Sequence, residues 1–346
     1  MRELKNKIAM SIDNNFPLVL YRMPDSNEFK CIFQNDSSIN YTSDYSENGF
    51  VFAPFNDSEK TLIIPFSKSE RESYSTKIID FDSQQKADNL SFEKNKQSHI
   101  NLIQKGIDFI QNGGADKIVL SRIEKVQVKD FNFVDTFRKL LDQYFNAFVY
   151  AWFHPLTGLW MGATPESLLN VKGKKFKTMA LAGTQSYQGT LDVDWSDKEK
   201  QEHQFVTAYI QANLNIRSLK ISQPFTKKAG SLVHICSKFE GELTSENQLH
   251  SLIKSLHPTP AVCGIPKETA KQFILQNENY NREYYTGFLG EVNGETSVNL
   301  YVNLRCMKVK NEEIQIFVGG GITKDSDPEK EWEETVLKSE VMKRVL

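Results

Sequence analysis

The segment from residue 314 to residue 335, IQIFVGGGITKDSDPEKEWEET, constrains the fold of this chain more than any other stretch. Its apolar start predicts a strand that ends at three glycines, which permit a tight turn and a close approach of a ligand to the backbone. Asp327 followed by Pro328 then predicts the start of a helix. The fold must therefore bring a strand end, an open backbone and a helix N-terminus together.

Four glutamates crowd the first turns of this predicted helix. Acidic residues at a helix start commonly do no more than oppose the helix dipole. Glu331 and Glu334 nevertheless lie three residues apart on one helix face, beside the glycines. Two carboxylates next to backbone N–H groups exposed by a turn predict a site for a hard cation that carries an anionic ligand.

The composition argues against several classes of partner. The 346 residues include 42 Lys+Arg and 44 Asp+Glu without a basic stripe, so we expect neither nucleic acid nor an anionic membrane surface as a partner. The four cysteines lack the spacing of a zinc site, and we expect reduced thiols in a cytoplasmic protein. No apolar run has the length of a signal-peptide core or a membrane span. No obligate protein partner is evident, which is compatible with a monomer.

The order of the predicted elements indicates a large α/β chain with several antiparallel strands. Residues 1–65 contain short β-like runs between polar turns. The polar, poorly periodic sequence of residues 67–98 predicts a long polar surface excursion or a loose linker. Downstream, the patterns predict three helices, which run from about residue 98 to 113, over 131–144 and from Ser196 onwards. They also predict a hairpin around residues 154–158. The remaining predicted strands open at Lys117 and cover residues 176–181, 232–236 and 297–307.

Several polar residues in these elements admit two interpretations. Glu166 follows Thr164 and Pro165, a pattern typical of a capped short helix unless Glu166 faces a cavity. His234 lies in an apolar strand, where a histidine is more often a core residue than a catalyst. Arg305 ends the polar face of a predicted strand and is suited to a bidentate carboxylate contact, although such faces commonly meet solvent. The composition around Glu202 indicates that it belongs to the solvent-exposed first turns of a helix.

Eight motifs occur in one order along the chain: KIVLSR, GATPESLL, ALAGT, EKQEH, LVHICS, HPTPAVCGIPK, REYYTGFLG and GGGITKDSDPEKEWEET. Together they resemble the chorismate-utilising enzymes, the family of isochorismate, anthranilate, salicylate and aminodeoxychorismate synthases. The resemblance covers residues 98–346, with residues 1–97 as the variable N-terminal part of one structural unit. It implies an anthranilate synthase component I-like fold, in which large antiparallel β-sheets pack core to core with helices outside and a cleft between the sheets holds the site.

The resemblance also implies a magnesium site and a substrate cradle. Glu202 and Glu334 match the family's Mg²⁺ ligands, and Glu331 is expected to act beside them through a metal-bound water. The ion would hold the ring carboxylate of chorismate, while Arg305 and Tyr285 contact the enolpyruvyl carboxylate. The positions that match substrate-binding residues are Gly183, Thr184, Ala261, Tyr285, Arg305, Gly319 and Gly321.

The catalytic groups follow from the same resemblance. Lys117 matches the lysine that acts as general base on water, which adds to ring carbon C2 while the C4 hydroxyl leaves. Glu166 matches the general acid that protonates this hydroxyl. Burial favours the neutral forms of both groups, which these roles require. His234 matches a histidine close to the reacting ring in isomerases and lyases alike.

Two positions distinguish this chain from other members of the family. Ala182 stands where aminodeoxychorismate synthases of the covalent type carry a lysine, and Ala261 stands where members that release pyruvate usually have threonine. The resemblance therefore implies magnesium-dependent isochorismate synthase activity, an isomerase reaction. A salicylate synthase-type lyase, which shares Lys117, and a non-catalytic anion-binding relative are the alternatives. Isochorismate begins both menaquinone and catecholate siderophore synthesis, and the sequence leaves the pathway open.

Overall fold

Two antiparallel sheets of ten strands each face one another in the computed structural model, which describes residues 2–78, 88–89, 92–214, 216, 218–230, 232–243, 248–294 and 297–346. The helices are α1 (Arg2–Asp13), α2 (Phe92–Gln111), α3 (Phe133–Gln143), α4 (Asp197–Asn213), α5 (Gln248–Leu256), α6 (Lys267–Asn277) and α7 (Pro328–Lys343). No helix in these ranges is both long and apolar enough to cross a membrane.

The strands range in length from two residues to twelve. They are β1 (Leu18–Arg22), β2 (Glu28–Gln34), β3 (Tyr41–Thr42), β4 (Asn48–Ala53), β5 (Thr61–Pro65), β6 (Ser69–Ser75), β7 (Asp88–Asn89), β8 (Lys117–Gln127), β9 (Phe148–His154), β10 (Gly158–Thr164), β11 (Ser167–Lys172), β12 (Lys175–Ser186), β13 (Lys220–Ile221), β14 (Phe225–Ala229), β15 (Leu232–Glu242), β16 (Gly264–Ile265), β17 (Phe288–Asn293), β18 (Ser297–Val302), β19 (Cys306–Lys310) and β20 (Glu313–Ile322).

Strands from the whole length of the chain mix in both sheets. Sheet A has the order β16-β8-β20-β19-β10-β9-β1-β2-β6, with β7 paired to β8. Sheet B has the order β13-β15-β12-β11-β18-β17-β4-β5-β3, with β14 paired to β15. Strands that precede residue 98 therefore lie beside strands from the region of the eight motifs.

An aromatic layer fills the space between the two sheets. Its centre is formed by Phe50 and Phe52 of sheet B and by Tyr150, Trp152 and Trp160 of sheet A, all of them buried. The Phe52 ring lies 5.1 Å from that of Trp152 and 6.0 Å from that of Trp160. Aromatic side chains bury large apolar areas, so this layer holds the sheets together.

The helices cover the outer faces of the sheets. Apolar residues of α1, α3 and α7 pack on sheet A, and those of α4 and α5 pack on sheet B. Further helices, α2 and α6, pack against β8 and β20 at one end of sheet A. This arrangement confirms the expected fold, with antiparallel sheets packed core to core and helices outside. The four cysteines are buried and unpaired.

The N-terminal region departs from the sequence-based expectation in two places. The short strands predicted within residues 1–65 are present, but α1 was not predicted, although Leu4 and Ile8 lie on one buried face of it. The polar excursion predicted over residues 67–98 is wrong for β6, which pairs with β2 at the edge of sheet A, and for the start of α2. Residues 79–87, 90 and 91 of that excursion lie outside the described residues.

The predicted turn at residues 319–321 is wrong, because β20 continues through the three glycines to Ile322. The glycines pair with Ser121, Leu120 and Val119 of β8, and this pairing keeps the backbone extended. Pairing with β19 on the other side of β20 reaches only as far as Phe317, which leaves the glycine edge open. The expected close approach to the backbone is therefore available along a strand edge.

Two further strands differ from their predicted bounds. The single strand expected over residues 297–307 is divided into β18 of sheet B and β19 of sheet A, so it does not carry Arg305 on a continuous polar face. Arg305 lies between them with a φ of 47°, in a turn that moves the chain from one sheet to the other. The strand expected to end at Leu181 continues to Ser186 through a bulge, where Gly183 has a φ of 73°.

A buried ion pair fixes the segments beside the cavity described below. The side chains of Arg282 and Glu278 are each 1% exposed, and their charged groups lie 2.6 Å apart. Arg282 also donates hydrogen bonds to the carbonyls of Val119 and Val262, while Glu278 accepts from the backbone N–H of Ser121. The pair therefore ties the end of α6 to β8.

We expect Glu278→Ala to lower the free energy of unfolding by about 3–5 kcal/mol, because it leaves the Arg282 guanidinium buried and uncompensated. Urea unfolding followed by circular dichroism measures the change. Lys125→Ala, which removes the exposed Lys125–Glu313 pair, is the control and should cost less than about 1 kcal/mol. Equal costs for the two variants would contradict the assigned role of the buried pair.

Candidate active site

One cavity, of about 770 Å³ including its mouth, collects most of the predicted site residues. Both sheets contribute to it, together with α4 and α7. The predicted residues that border it are Glu166, Gly183, Thr184, Glu202, His234, Ala261, Tyr285, Arg305, Gly319 and Gly321. Lys117, Glu331 and Glu334 do not border it directly but lie against residues that do.

Glu166 lies in the link between the two sheets. Thr164 ends β10 of sheet A and Ser167 begins β11 of sheet B, so the short helix typical of this local sequence does not form. The Glu166 side chain borders the cavity, and the residue is only 3% exposed. Burial raises the pKa of Glu166 to about 7, against several nearby cations that lower it. Near neutral pH this carboxyl can therefore hold a proton and donate it.

His234 and Arg305 form a hydrogen-bonded pair at the wall of the cavity. Arg305 Nη2 donates to His234 Nε2 at 2.6 Å, and Nη1 donates to the carbonyl of Ala229 at 2.8 Å. Because Nε2 must accept from the guanidinium, Nδ1 carries the proton and donates to the Gly183 carbonyl at 2.9 Å. Burial and the Arg305 charge hold the pKa of His234 well below its usual value. The neutral imidazole therefore orients Arg305.

Lys117 opens β8 as predicted, but it is not a solvated strand end. The residue is 0% exposed, and its Nζ lies 2.9 Å from Oε1 of Glu202 on α4. Burial alone would raise the pKa of Glu202, yet the charges of Lys117, Lys198 and Lys338 together outweigh burial and the net pKa is lowered. Glu202 borders the cavity, so this ion pair lies at its wall.

Glu331 and Glu334 come together beside Gly320, on the first turns of α7. A Cβ on Gly320 would lie 3.4 Å from Oε2 of Glu331 and 3.7 Å from Oε1 of Glu334. Burial raises the pKa of Glu331, and the neighbouring Glu334 carboxylate raises it further. Lys198 forms an ion pair with Glu331, and Lys338 forms one with Glu334 at 2.7 Å. Each carboxylate of the predicted metal site therefore has a lysine as its counterion.

The chemistry of these carboxylates fits a hard divalent cation. Carboxylate oxygens are the ligands that Mg²⁺ prefers in proteins, and the repulsion between Glu331 and Glu334 is one that a cation would relieve. Lys198 interacts electrostatically with all three predicted ligands, so they surround one common region. Within the part of the chain that the structure describes, no three acidic, histidine or cysteine side chains already adopt a ligand arrangement.

Three lysines at the site were not predicted. Lys338 borders the cavity and donates to the Gly319 carbonyl at 2.9 Å. Lys198 and Lys338 each lie four residues from a predicted ligand on the same helix, and this spacing is the sequence signal that could have identified them. Lys227, discussed below, reaches the site from a separate strand, and its local sequence carries no such signal.

Comparison with known proteins agrees with these features. The family model described as chorismate binding enzyme matches residues 54–346. Isochorismate synthase EntC of Escherichia coli strain K12 is 32% identical over 247 residues, which cover 67% of this chain and 62% of that protein. The match thus spans about three fifths of the curated relative.

Two solved structures share the fold. Menaquinone-specific isochorismate synthase MenF of Escherichia coli superposes with a TM-score of 0.81 and 20% identity, covering 96% of this chain and 89% of that one. Anthranilate synthase component I of Streptococcus pneumoniae gives a TM-score of 0.69 at 18% identity, with coverages of 90% and 82%. These comparisons confirm the resemblance seen in the eight motifs, and this chain belongs to the chorismate binding enzyme family.

Proposed function

We propose that this chain is an isochorismate synthase, which adds water at C2 of chorismate and releases the C4 hydroxyl. The observation that carries the proposal is the buried Glu166 carboxyl, whose pKa of about 7 suits a proton donor, inside a cavity that also presents a guanidinium. The name of the Escherichia coli relative supports the same reaction.

Binding of the dianionic substrate is assigned to cations of the cavity wall. Arg305 has five N–H donors and uses two of them on Ala229 and His234, so others remain for a carboxylate. Burial lowers the pKa of Arg305 to about 10, and the group stays charged at neutral pH. Tyr285 also borders the cavity, and its hydroxyl lies beside Gly319.

Glu202, Glu331 and Glu334 would hold a magnesium ion. When bound, the ion would neutralise the ring carboxylate and draw electron density from the ring. Residues 319–321 carry no side chains of their own and lie beyond the end of the pairing with β19, so the carboxylate could approach the backbone there.

The proton transfers are assigned to Lys117 and Glu166. Once Lys117 has released its ammonium proton to solvent, its amine accepts a proton from the water that attacks C2, and protonated Glu166 gives its proton to the hydroxyl that leaves C4. One water enters and one leaves, so the reaction is an isomerisation. Lys117 then returns its proton to solvent and Glu166 takes one up before the next turnover.

Incubation of the purified protein with chorismate and Mg²⁺, followed by chromatography, tests the proposal. Isochorismate as the product would support it. Salicylate with pyruvate would instead identify a lyase, and unchanged chorismate would indicate a non-catalytic binder. Chelation of divalent cations should stop turnover, and added Mg²⁺ should restore it.

We expect Gly321→Ala to reduce kcat by about tenfold or more, because small displacements of reacting groups are costly. A Cβ on Gly321 would lie 2.2 Å from Oε1 of Glu202 and 3.0 Å from Cε of Lys117, so both side chains must move. Gly320→Ala is the matched control, since its Cβ would meet Glu331 only at 3.4 Å. Initial rates and thermal melts of both variants measure the effect. Similar losses of activity in the two variants would contradict the placement of Glu202.

A further inference from the structure

We propose that Lys227 is a positioning residue for the proton donor: its ammonium group holds the backbone before Glu166 and keeps the Glu166 carboxyl acidic enough to release its proton. The inference rests on the proposed function, because it gives Glu166 the role of general acid. None of the eight motifs includes Lys227, which lies on β14.

The strand register directs Lys227 towards the cavity. In the β14–β15 ladder Lys227 lies opposite His234, which borders the cavity, and Lys228 lies opposite Val233. Side chains of directly paired residues project from the same face of a sheet, and successive residues project from opposite faces. Lys227 therefore shares the face of His234, whereas Lys228 projects to the other face, over the ring of Tyr187.

The contacts of Lys227 place its charge beside the link between the two sheets. Its Nζ donates to the Pro165 carbonyl at 2.9 Å and contacts Sδ of Met179 at 3.5 Å. The Pro165 carbonyl belongs to the peptide group that joins Pro165 to Glu166, so the hydrogen bond fixes the backbone from which the carboxyl projects. Both partners of Lys227 are neutral groups.

The neutrality of these partners distinguishes Lys227 from the other lysines of the site. Lys117 is paired with Glu202, and Lys338 with Glu334, so each of their charges is largely compensated by a carboxylate. Lys227 is half-buried, and its charge acts on Glu166 through the protein interior, where Coulomb interactions are strong. Among the cations that lower the pKa of Glu166, Lys227 has the largest effect.

The groups that face Glu166 come from several elements. The ionisable groups that interact with it are Lys117 of β8, Lys227 of β14, Cys236 of β15, Arg305 between β18 and β19, and Lys338 of α7. Burial raises the pKa of Glu166, and the cations oppose burial. Because a general acid works best when its pKa lies near the working pH, the Lys227 charge prevents the buried carboxyl from becoming too weak an acid.

Titration of Glu166 in Lys227→Met tests this inference without requiring turnover. The carboxyl band of Glu166, assigned by its loss in Glu166→Gln, is followed by infrared difference spectroscopy against pH. We expect its midpoint to rise by about one unit in Lys227→Met, as expected for removal of one nearby charge. Lys227→Gln retains a donor but loses the charge, and it should show the same rise. Lys227→Arg retains the charge and should keep the wild-type midpoint.

Lys228→Met is the matched control, because the neighbouring lysine projects from the other face of the strand, and it should leave the midpoint unchanged. The limb of the kcat–pH profile that reports Glu166 should move with the midpoint in Lys227→Met and Lys227→Gln. An unchanged midpoint in both neutral variants would overturn the inference, as would an equal shift in Lys228→Met. If the wild-type protein leaves chorismate unchanged, the proposed function fails, whereas the titration still reports on Lys227 separately.

Discussion

Replacement of Lys117 by alanine is expected to lower kcat for the conversion of chorismate by about 10³-fold, within the range that a general base contributes. Lys117 is fully buried at the wall of the cavity and reaches Glu202 across 2.9 Å. Its removal takes away the group assigned to accept the proton of the attacking water. Chromatographic rates of isochorismate formation measure the loss.

Lys117→Arg distinguishes the general-base role of Lys117 from its ion pair with Glu202. Arginine can still pair with Glu202, but its guanidinium stays protonated and cannot act as a base. We therefore expect Lys117→Arg to be nearly as inactive as Lys117→Ala, while calorimetry shows chorismate binding close to that of the wild type. Substantial turnover in either variant would refute the assignment of Lys117.

Replacement of Glu166 by glutamine is expected to lower kcat by about 10²–10⁴-fold, because glutamine cannot give a proton to the leaving hydroxyl. The same change should stabilise the fold at alkaline pH. An ordinary glutamate of the unfolded chain ionises near its usual pKa of 4.5, whereas folded Glu166 retains its proton up to about pH 7. Glu166 therefore leaves the free energy of unfolding of the wild-type protein unchanged below about pH 4.5. It lowers that free energy as the pH rises from 4.5 to about 7, and the loss persists at higher pH.

The expected gain for Glu166→Gln at pH 8 is at most about 3 kcal/mol, obtained from the difference between the two pKa values. Urea unfolding at pH 4 and pH 8 measures it, and the two proteins should differ only at the higher pH. Glu333→Gln, on the exposed side of α7, is the control and should change neither activity nor this pH dependence. Full activity in Glu166→Gln would refute the role of Glu166 as the acid.

Local sequence was sufficient where the structure depends on neighbours along the chain. The capping box of Ser196 and Glu199 starts α4 as predicted, and Asp327 caps α7 ahead of Pro328. The strand that opens at Lys117 was also predicted correctly, because its run of β-branched residues is long and continuous. Such signals act within a few residues of the element that they define.

Local sequence failed where distant strands decide the conformation. The glycines at 319–321 permit a turn, but β8, almost two hundred residues earlier, holds them extended. Thr164 and Pro165 resemble a helix start, yet strand pairing places Thr164 at the end of β10 and Pro165 in the link between the sheets. Arg305 continues a regular alternation but lies in a turn between the sheets.

The candidate site was predicted mainly through the order of its motifs. Periodicity alone left Glu166, His234 and Arg305 with ordinary structural interpretations, because convergence on one cavity depends on contacts between remote segments. The role of Lys198 as a counterion was missed for the same reason, because its pairing with Glu331 joins two helices more than a hundred residues apart. Lys338 pairs with Glu334 four residues away on α7, so that pair could have been predicted from the local spacing. Most of the fold was predicted from the family resemblance, because members of one family share their tertiary arrangement.

The aromatic layer gives this protein a built-in optical reporter. Trp152 and Trp160, two of the four tryptophans, lie fully buried where the sheets meet. Separation of the sheets would expose both indoles to water and shift their fluorescence emission to longer wavelength. Emission spectra recorded during denaturation would thus show whether a damaged variant has lost its global architecture or only its chemistry.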